Sequence, residues 1–183
     1  HQVTWGSGSG QQSVTTTPEA GDQNSFWVVK EASTTPVSCE VGQPVECGTK
    51  IRLEHASTGR NLHSHLFRAP LSGNQEVSGF GEGGTGDTGD NWVLTCDTAG
   101  DKHWKRGAVV HFEHVDTKKW LSSSTKHKFT QQNCGQACPI MHQTEVSAAG
   151  AKGVNRKFKT GQGVYFPPSD PKLREDDEDD YDD

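Results

Sequence analysis

Residues 48–64 read GTKIRLEHASTGRNLHS, and residues 107–123 read GAVVHFEHVDTKKWLSS. The two stretches align without a gap, and the matching positions are Gly48/Gly107, Ile51/Val110, Leu53/Phe112, Glu54/Glu113, His55/His114, Thr58/Thr117, Leu62/Leu121 and Ser64/Ser123. Self-similarity at a fixed spacing is the signature of a repeat architecture. The chain is therefore expected to be built from copies of one structural unit.

A second signature follows each copy. Residues 74–78 read NQEVS and residues 143–147 read QTEVS, while residues 11–15 carry the same signature as QQSVT near the start of the chain. An aromatic residue closes each of the three units, namely Trp27, Trp92 and Phe158. A unit of about 60 residues that occurs three times predicts pseudo-threefold symmetry.

Each complete unit opens with the pattern of a β-hairpin. In residues 50–54 the apolar Ile51 and Leu53 alternate with charged residues, which places both on one face of a strand. A turn then leads to a second strand that carries Leu62 inward. With the Glu-Val-Ser strand and the aromatic strand, each unit has four short strands. Three such units predict an all-β fold, a twelve-stranded β-trefoil.

The trefoil is predicted to be one domain over residues 1–168. Partial repeat one, at residues 1–38, lacks the opening hairpin; repeat two covers residues 39–98, and repeat three with a closing strand covers residues 99–168. Residues 169–183 are predicted to be an acidic, disordered tail, because the run EDDEDDYDD has no apolar surface to bury.

The composition argues against two classes of partner, nucleic acids and membranes. The net charge of −6 comes mostly from the tail, so the body gives no reason to expect nucleic acid. No apolar run approaches the length of a membrane span, so membrane insertion is not expected. Hydrophobic residues make up only 30% of the chain and glycines number 21, which favours short strands and turns over helices.

Five cysteines are present, and their spacing suggests two local bridges, Cys39–Cys47 and Cys134–Cys138. Each bridge would close a short loop and stabilise the fold by about 2–3 kcal/mol. Cys96 is then left over, either as a buried thiol or with a partner outside this chain. The two pairs are far apart and neither has the C-x-x-C form, so no zinc site is expected from the cysteines.

No catalytic residue is predicted. The chain has no G-x-S-x-G elbow, and Glu76 and Glu145 are equivalent positions of two repeats, which argues against a paired-carboxylate glycosidase site. His55 and His114 also recur by symmetry, which favours a structural role such as a hydrogen bond to a turn. We therefore expect neither an enzyme nor a cofactor.

Two of the three histidines of repeat two are candidates for a metal site. His63 and His65 share one face of a strand, but no third ligand is identifiable nearby in the sequence. No metal site is therefore predicted.

A polar set on repeat two is the candidate binding surface: Arg60, Asn61, His63, His65 and Gln75. These side chains carry the donors and acceptors that bind sugar hydroxyls. Trp5 and Trp120 are candidates for an apolar platform beside them. The alternative is that Asn61 and Gln75 satisfy the backbone of turns and that both tryptophans belong to the core.

Three strings carry a resemblance to a known family: RNLHSH at residues 60–65, PLSGNQEVS at residues 70–78 and WGSGSGQQSVT at residues 5–15. They are similar to MIR repeats, and their order over residues 1–168 resembles the stromal-cell-derived-factor-two family of MIR proteins. The resemblance implies a β-trefoil of the endoplasmic reticulum lumen that acts in protein quality control and the unfolded-protein response.

The same resemblance implies partners and a mechanism. The expected partners are a lumenal J-domain co-chaperone and a BiP-type chaperone, with misfolded or O-mannosylated clients. The main alternative is a carbohydrate-binding module for mannose-type glycans. A signal peptide, a first hairpin and a KDEL-like retrieval signal are expected of the family and are not found in this sequence. The first hairpin of relatives often carries a cysteine, which would suit Cys96.

Overall fold

The computed structural model describes residues 2–19, 21–35, 42–150 and 154–163. Within these residues the strands are β1 (Gln12–Ser13), β2 (Thr15–Thr16), β3 (Trp27–Glu31), β4 (Lys50–His55), β5 (Arg60–Arg68), β6 (Gln75–Phe80), β7 (Trp92–Cys96), β8 (Val109–His114), β9 (Trp120–Lys128), β10 (Thr144–Ala149) and β11 (Phe158–Lys159). One helical turn, α1, covers Gln131–Cys134. Short 3-10 helices precede the aromatic strands at Gln23–Ser25, Thr88–Asp90 and Val154–Arg156.

The strands form a β-trefoil, which confirms the predicted all-β fold. The barrel strands pair antiparallel in the order β3, β4, β7, β8 and β11. The remaining strands form hairpins against this barrel: β5 pairs with β6, β9 pairs with β10, and β6 also contacts β10 and β1. In the described residues, repeat one contributes β1 to β3, whereas repeats two and three open with hairpins β4–β5 and β8–β9.

The pseudo-threefold symmetry extends to single backbone angles. Gly10, Gly73 and His142 occupy the same position before the second signature, and their φ angles are 68°, 68° and 69°. The left-handed region favours glycine, so His142 is an exception within the pattern. Three equivalent side-chain hydrogen bonds also link neighbouring repeats, between Gln11 and Ser78, Asn74 and Ser147, and Gln143 and Thr15.

The central core is made of equivalent apolar residues from all three repeats. Its buried members are Val14, Ile51, Leu53, Leu62, Val77, Trp92, Leu94, Val110, Phe112, Leu121, Val146 and Ala148. Trp27 and Phe158, the other two aromatic closing residues, pack against this cluster. A second apolar cluster contains Trp5, Phe129, Cys138 and Ile140. The alternation seen in the sequence therefore marks the inward face of each strand.

One of the two predicted disulfides is wrong. Cys47 is bonded to Cys96, with Cα atoms 5.6 Å apart, and not to Cys39, which lies outside the described residues. The reason is tertiary, because the backbone of Leu94 on β7 pairs with Gly48 and Thr49 and brings the two cysteines together. Cys96 is thus neither a free thiol nor bonded to another chain. Cys134 and Cys138 are bonded to each other, the pairing that their spacing predicts.

Some sequence predictions lie outside the described residues. Residues 164–183 include the end of the predicted closing strand and the whole acidic tail, so the domain limits and the disorder of the tail stay predictions. In the part of the chain that the structure covers, no helix is long and apolar enough to cross a membrane.

Candidate functional site

Strand β5 carries the central part of the candidate site. It runs between β4 and β6, and alternation places Asn61, His63, His65 and Phe67 on the same face. The pairing register with β6 shifts between Ser64 and Arg68, which is a β-bulge. Bulges bend a strand and redirect its side chains. Beyond the bulge Arg68 pairs again with Gln75 of β6, and the last three residues of β5 are exposed.

Asn61 is fully buried and holds the glycine-rich connection that follows β6. Its Nδ2 donates to the carbonyl oxygens of Gly84 and Thr85, at 3.3 Å and 3.2 Å, and to Asp90 Oδ2 at 3.2 Å. Its Oδ1 has no hydrogen-bond partner. Asn61 therefore satisfies carbonyl groups of this connection.

His63 is held between two aspartates of that connection. Its Nδ1 lies 2.9 Å from Asp90 Oδ1 and 3.6 Å from Asp87 Oδ1. Asp90 is completely buried, whereas the Asp87 side chain is 58% exposed. A capping box of the Thr88–Asp90 helix orients both carboxylates, since Asp87 accepts from Gly89 N and Asp90 accepts from Asp87 N.

Gly89 is needed for this close approach. A Cβ atom at this position would lie 2.4 Å from His63 Cε1 and 3.0 Å from Asp87 Oδ1. The 2.4 Å separation is too short for a side chain to be accommodated without displacing the imidazole. The Asp-Thr-Gly-Asp sequence at residues 87–90 thus combines two carboxylates with a glycine, the one residue small enough for the imidazole of His63 to lie against it.

His65 is bonded to a different buried carboxylate. Its Nε2 lies 3.0 Å from Glu76 Oε1, and Glu76 also accepts hydrogen bonds from the backbone and hydroxyl of Ser9 in repeat one. The equivalent Glu145 accepts from the backbone N–H groups of Leu71 and Ser72. Each buried glutamate therefore fixes a loop of the preceding repeat, which gives these symmetry mates a structural role.

Four rings form a ladder along this face. The ring centroids of Phe80 and His63 are 4.6 Å apart, those of His63 and His65 are 5.1 Å apart, and those of His65 and Phe67 are 4.9 Å apart. The ladder leads from the buried Asp90 to the exposed end of β5. There Leu66 is 84% exposed and Phe67 is 51% exposed.

The remaining predicted site residues do not join this face. Gln75 is buried, and its Nε2 donates to Ser64 Oγ and Thr117 Oγ1 at 2.7 Å and 3.0 Å. Arg60, at the start of β5, is partly buried. The structure thus brings Asn61, His63 and His65 together and leaves Gln75 as a link between β5, β6 and the turn of repeat three.

Neither tryptophan provides an open platform. Trp5 is 5% exposed, donates from Nε1 to Val77 O and packs against Phe129, so it belongs to the second apolar cluster. Trp120 is partly buried, and the guanidinium of Arg156 lies 4.4 Å from the centre of its ring. Both rings are therefore engaged in contacts within the protein.

His55 and His114 have the structural role predicted from their recurrence. Each Nδ1 lies 2.8 Å from the hydroxyl of a turn threonine, Thr58 or Thr117. Each Nε2 lies 2.9 Å from a carbonyl oxygen of the preceding 3-10 helix. Burial lowers the pKa of His55 and of His114 below the ordinary value for histidine.

Sequence reasoning missed the two aspartates that contact His63. The segment at residues 81–90 reads GEGGTGDTGD, and its lack of apolar residues predicts a connection without packing residues. A signal was nonetheless present, because two aspartates three positions apart match a capping box. That spacing predicts ordered carboxylates, but it does not say which residue they face.

Both histidines of the ladder are engaged in contacts with carboxylates of the protein itself. His63 and His65 lie within hydrogen-bond distance of the buried carboxylates of Asp90 and Glu76, and these carboxylates are also bound by amide or backbone groups. Networks that satisfy their members in this way make a region rigid. At the end of β5, Leu66 and Phe67 are exposed beside the partly exposed imidazole of His65.

The chain is similar to known proteins over most of its length. A family model described as MIR domain matches residues 1–151. Stromal cell-derived factor 2 of Homo sapiens is 44% identical over 170 residues, which are 93% of this chain and 74% of that protein. A stromal cell-derived factor 2-like protein of Dictyostelium discoideum is 46% identical over 91% of this chain and 74% of its own length.

Solved structures are also similar to this chain. The crystal structure of the SDF2-like protein from Arabidopsis thaliana superposes with a TM-score of 0.82 at 39% identity, covering 93% of this chain and 88% of that one. The Saccharomyces cerevisiae protein O-mannosyltransferase Pmt1-Pmt2 complex bound to the sugar donor matches with a TM-score of 0.69, over 93% of this chain and 25% of that chain. Its identity is 24%, so this likeness concerns the fold alone.

Proposed function

Because this chain belongs to the stromal cell-derived factor 2 family of MIR-domain proteins, we propose that it is a non-enzymatic quality-control protein of the endoplasmic reticulum lumen or secretory pathway. It binds a lumenal J-domain co-chaperone in complex with a BiP-type chaperone, and it recognises misfolded or O-mannosylated client chains. It acts by binding alone and needs no cofactor.

The observation that carries this proposal is the exposed apolar end of β5. Leu66 and Phe67 project from a bulge whose base is fixed by the buried contacts of His63 and His65. Large apolar side chains that are exposed on a rigid support resemble the anchor residues of protein interfaces. They lose little conformational entropy on binding, because the backbone that carries them is already ordered. A co-chaperone or an unfolded client supplies the apolar surface that would cover them.

A binding experiment tests this surface. The protein is titrated with a purified lumenal J-domain co-chaperone. The Leu66→Ala/Phe67→Ala variant is compared with Val28→Ala, which truncates an apolar residue on β3 that is about as exposed as Phe67. We expect at least tenfold weaker binding for the double variant, no change for Val28→Ala, and no competition by free mannose. Equal affinity of all three proteins would contradict the proposed surface.

Carbohydrate binding is the second candidate function. It is favoured by the partly exposed imidazole of His65, which lies next to the ring of Phe67, because sugar sites combine polar donors with an aromatic face. Arg60→Ala and His65→Ala should then abolish binding to mannose-type glycans on an array. A chromogenic glycoside should not be hydrolysed under either function, and turnover would contradict both.

A further inference from the structure

We propose that His63, Asp87 and Asp90 form a zinc site, in which the imidazole Nδ1 and one oxygen of each carboxylate are the protein ligands. The three candidate ligand atoms all lie within 4.8 Å of one another. The site is separate from the apolar end of β5, so this proposal does not depend on co-chaperone binding.

The geometry is that of a site organised before any ion arrives. His63 Nδ1 is 2.9 Å from Asp90 Oδ1 and 3.6 Å from Asp87 Oδ1, separations close to those between neighbouring ligands around a small tetrahedral cation. The capping box fixes both carboxylates, and Gly89 leaves the space that the imidazole occupies. Zinc would take the place of the proton that His63 and Asp90 share.

A second observation comes from Asn61. This side chain is completely buried, and its amide lies against the Asp90 carboxylate, yet its Oδ1 has no hydrogen-bond partner. Buried amide oxygens are almost always satisfied, so this oxygen is available to accept a hydrogen bond from a bound ligand. A water bound to a zinc ion beside Asp90 would supply the missing donor.

Charge and donor chemistry select zinc over the alkaline earth ions. Two carboxylates approach one imidazole, and Asp90 is fully removed from solvent, so a divalent cation would offset the repulsion between the two negative groups. An imidazole nitrogen with two carboxylate oxygens suits Zn²⁺, whereas Ca²⁺ and Mg²⁺ prefer all-oxygen sites. The exposed Asp87 leaves a path for the ion to enter.

Isothermal titration of the chelator-treated protein with ZnCl₂ tests the site. We expect one zinc ion per chain, bound at least tenfold more tightly by the wild type than by Asp87→Asn. Asparagine at this exposed position keeps the helix cap, so the fold is retained while the charge is lost. The acidic tail is common to both proteins, so any zinc that it takes up cancels in the comparison.

His111 and Asp97 provide the matched control. Their side chains also form a histidine–aspartate pair, at 2.8 Å, but Lys157 rather than a second carboxylate lies against Asp97. Asp97→Asn should therefore bind zinc as tightly as the wild type.

Binding of Co²⁺ tests directly whether the imidazole of His63 is a metal ligand. Bound Co²⁺ should give visible ligand-field absorption in the wild type and in Asp97→Asn, and this absorption should be lost in His63→Gln. The proposal is overturned by any of three results: no stoichiometric zinc, the same zinc affinity in Asp87→Asn and the wild type, or tighter binding of Ca²⁺ than of Zn²⁺.

Discussion

At the scale of single residues, the same histidine performs the same task in two repeats. His55 and His114 each bridge a turn threonine and a backbone carbonyl, and each ring lies 5.0 Å from a tryptophan, Trp27 or Trp92. Both imidazoles are almost completely buried. Charging either one inside the protein is unfavourable, which explains why burial lowers the pKa of both groups.

This gives a prediction about acid stability. A histidine whose pKa is lowered by folding stays neutral in the native state while the unfolded chain takes up the proton. The stabilising contribution is therefore complete above a pH of about 6.5 and is lost as the pH falls from there towards the lowered native pKa. Urea unfolding measured across this window should give a free energy of unfolding that falls with pH.

Variants separate this effect from other titrations. In His55→Gln/His114→Gln the slope of unfolding free energy against pH should be smaller than in the wild type, whatever the absolute stability. His103→Gln, which changes an exposed histidine, should keep the wild-type slope. An unchanged slope in the double variant would show that these two histidines do not cause the acid sensitivity.

At the scale of elements, the two disulfides close loops of very different length. The Cys47–Cys96 bond joins residues 49 positions apart and ties the segment before β4 to the end of β7. The Cys134–Cys138 bond spans only four positions and closes a loop next to α1, where Cys138 packs on Trp5 and Phe129. A longer closed loop removes more entropy from the unfolded chain.

The loop lengths predict unequal losses of stability. On the loop-entropy model, Cys47→Ala/Cys96→Ala should lower the free energy of unfolding by about 4 kcal/mol and Cys134→Ala/Cys138→Ala by about 2 kcal/mol. Guanidinium unfolding of the two variants and the wild type measures both values. Peptide mapping without reduction should recover a cross-linked peptide that contains Cys47 and Cys96. Recovery of a Cys39–Cys47 peptide instead would contradict the observed pairing.

At the scale of the whole molecule, one apolar core joins the three repeats. Equivalent residues such as Val14, Val77 and Val146 meet in it, so no repeat buries its apolar face alone. The barrel and the hairpins should therefore unfold together in one transition, as small single domains usually do.

Leu94 on β7 is a direct test of that core, since it is completely buried. Leu94→Ala removes apolar contacts and leaves a cavity, and it should lower the free energy of unfolding by about 3 kcal/mol. Leu66→Ala, at an exposed position, should change it by less than about 0.5 kcal/mol. Denaturant unfolding followed by fluorescence and by circular dichroism measures both; transitions that do not coincide would contradict a single cooperative unit.

Much of the fold was predictable because the repeat can be recognised from the patterns of residues that are close together in the sequence. Alternation in residues 50–54 marked Ile51 and Leu53 as inward residues, and the recurrence of His55 and His114 predicted their bonds to turns. The candidate site was predicted less well. Sequence alone selected His63 and His65, but Trp5 and Gln75 proved to be buried parts of the structure.

The sequence by itself determined the strands, their inward faces and their threefold recurrence, since each depends on residues that are neighbours in the chain. Only the tertiary structure decided that Cys47 meets Cys96 and that His63 lies between Asp87 and Asp90. Those partners are separated by tens of residues, and they are brought together by the register of paired strands and the path of a glycine-rich connection. Neither the register nor the path is encoded in any local periodicity, because both result from closing the barrel around its core.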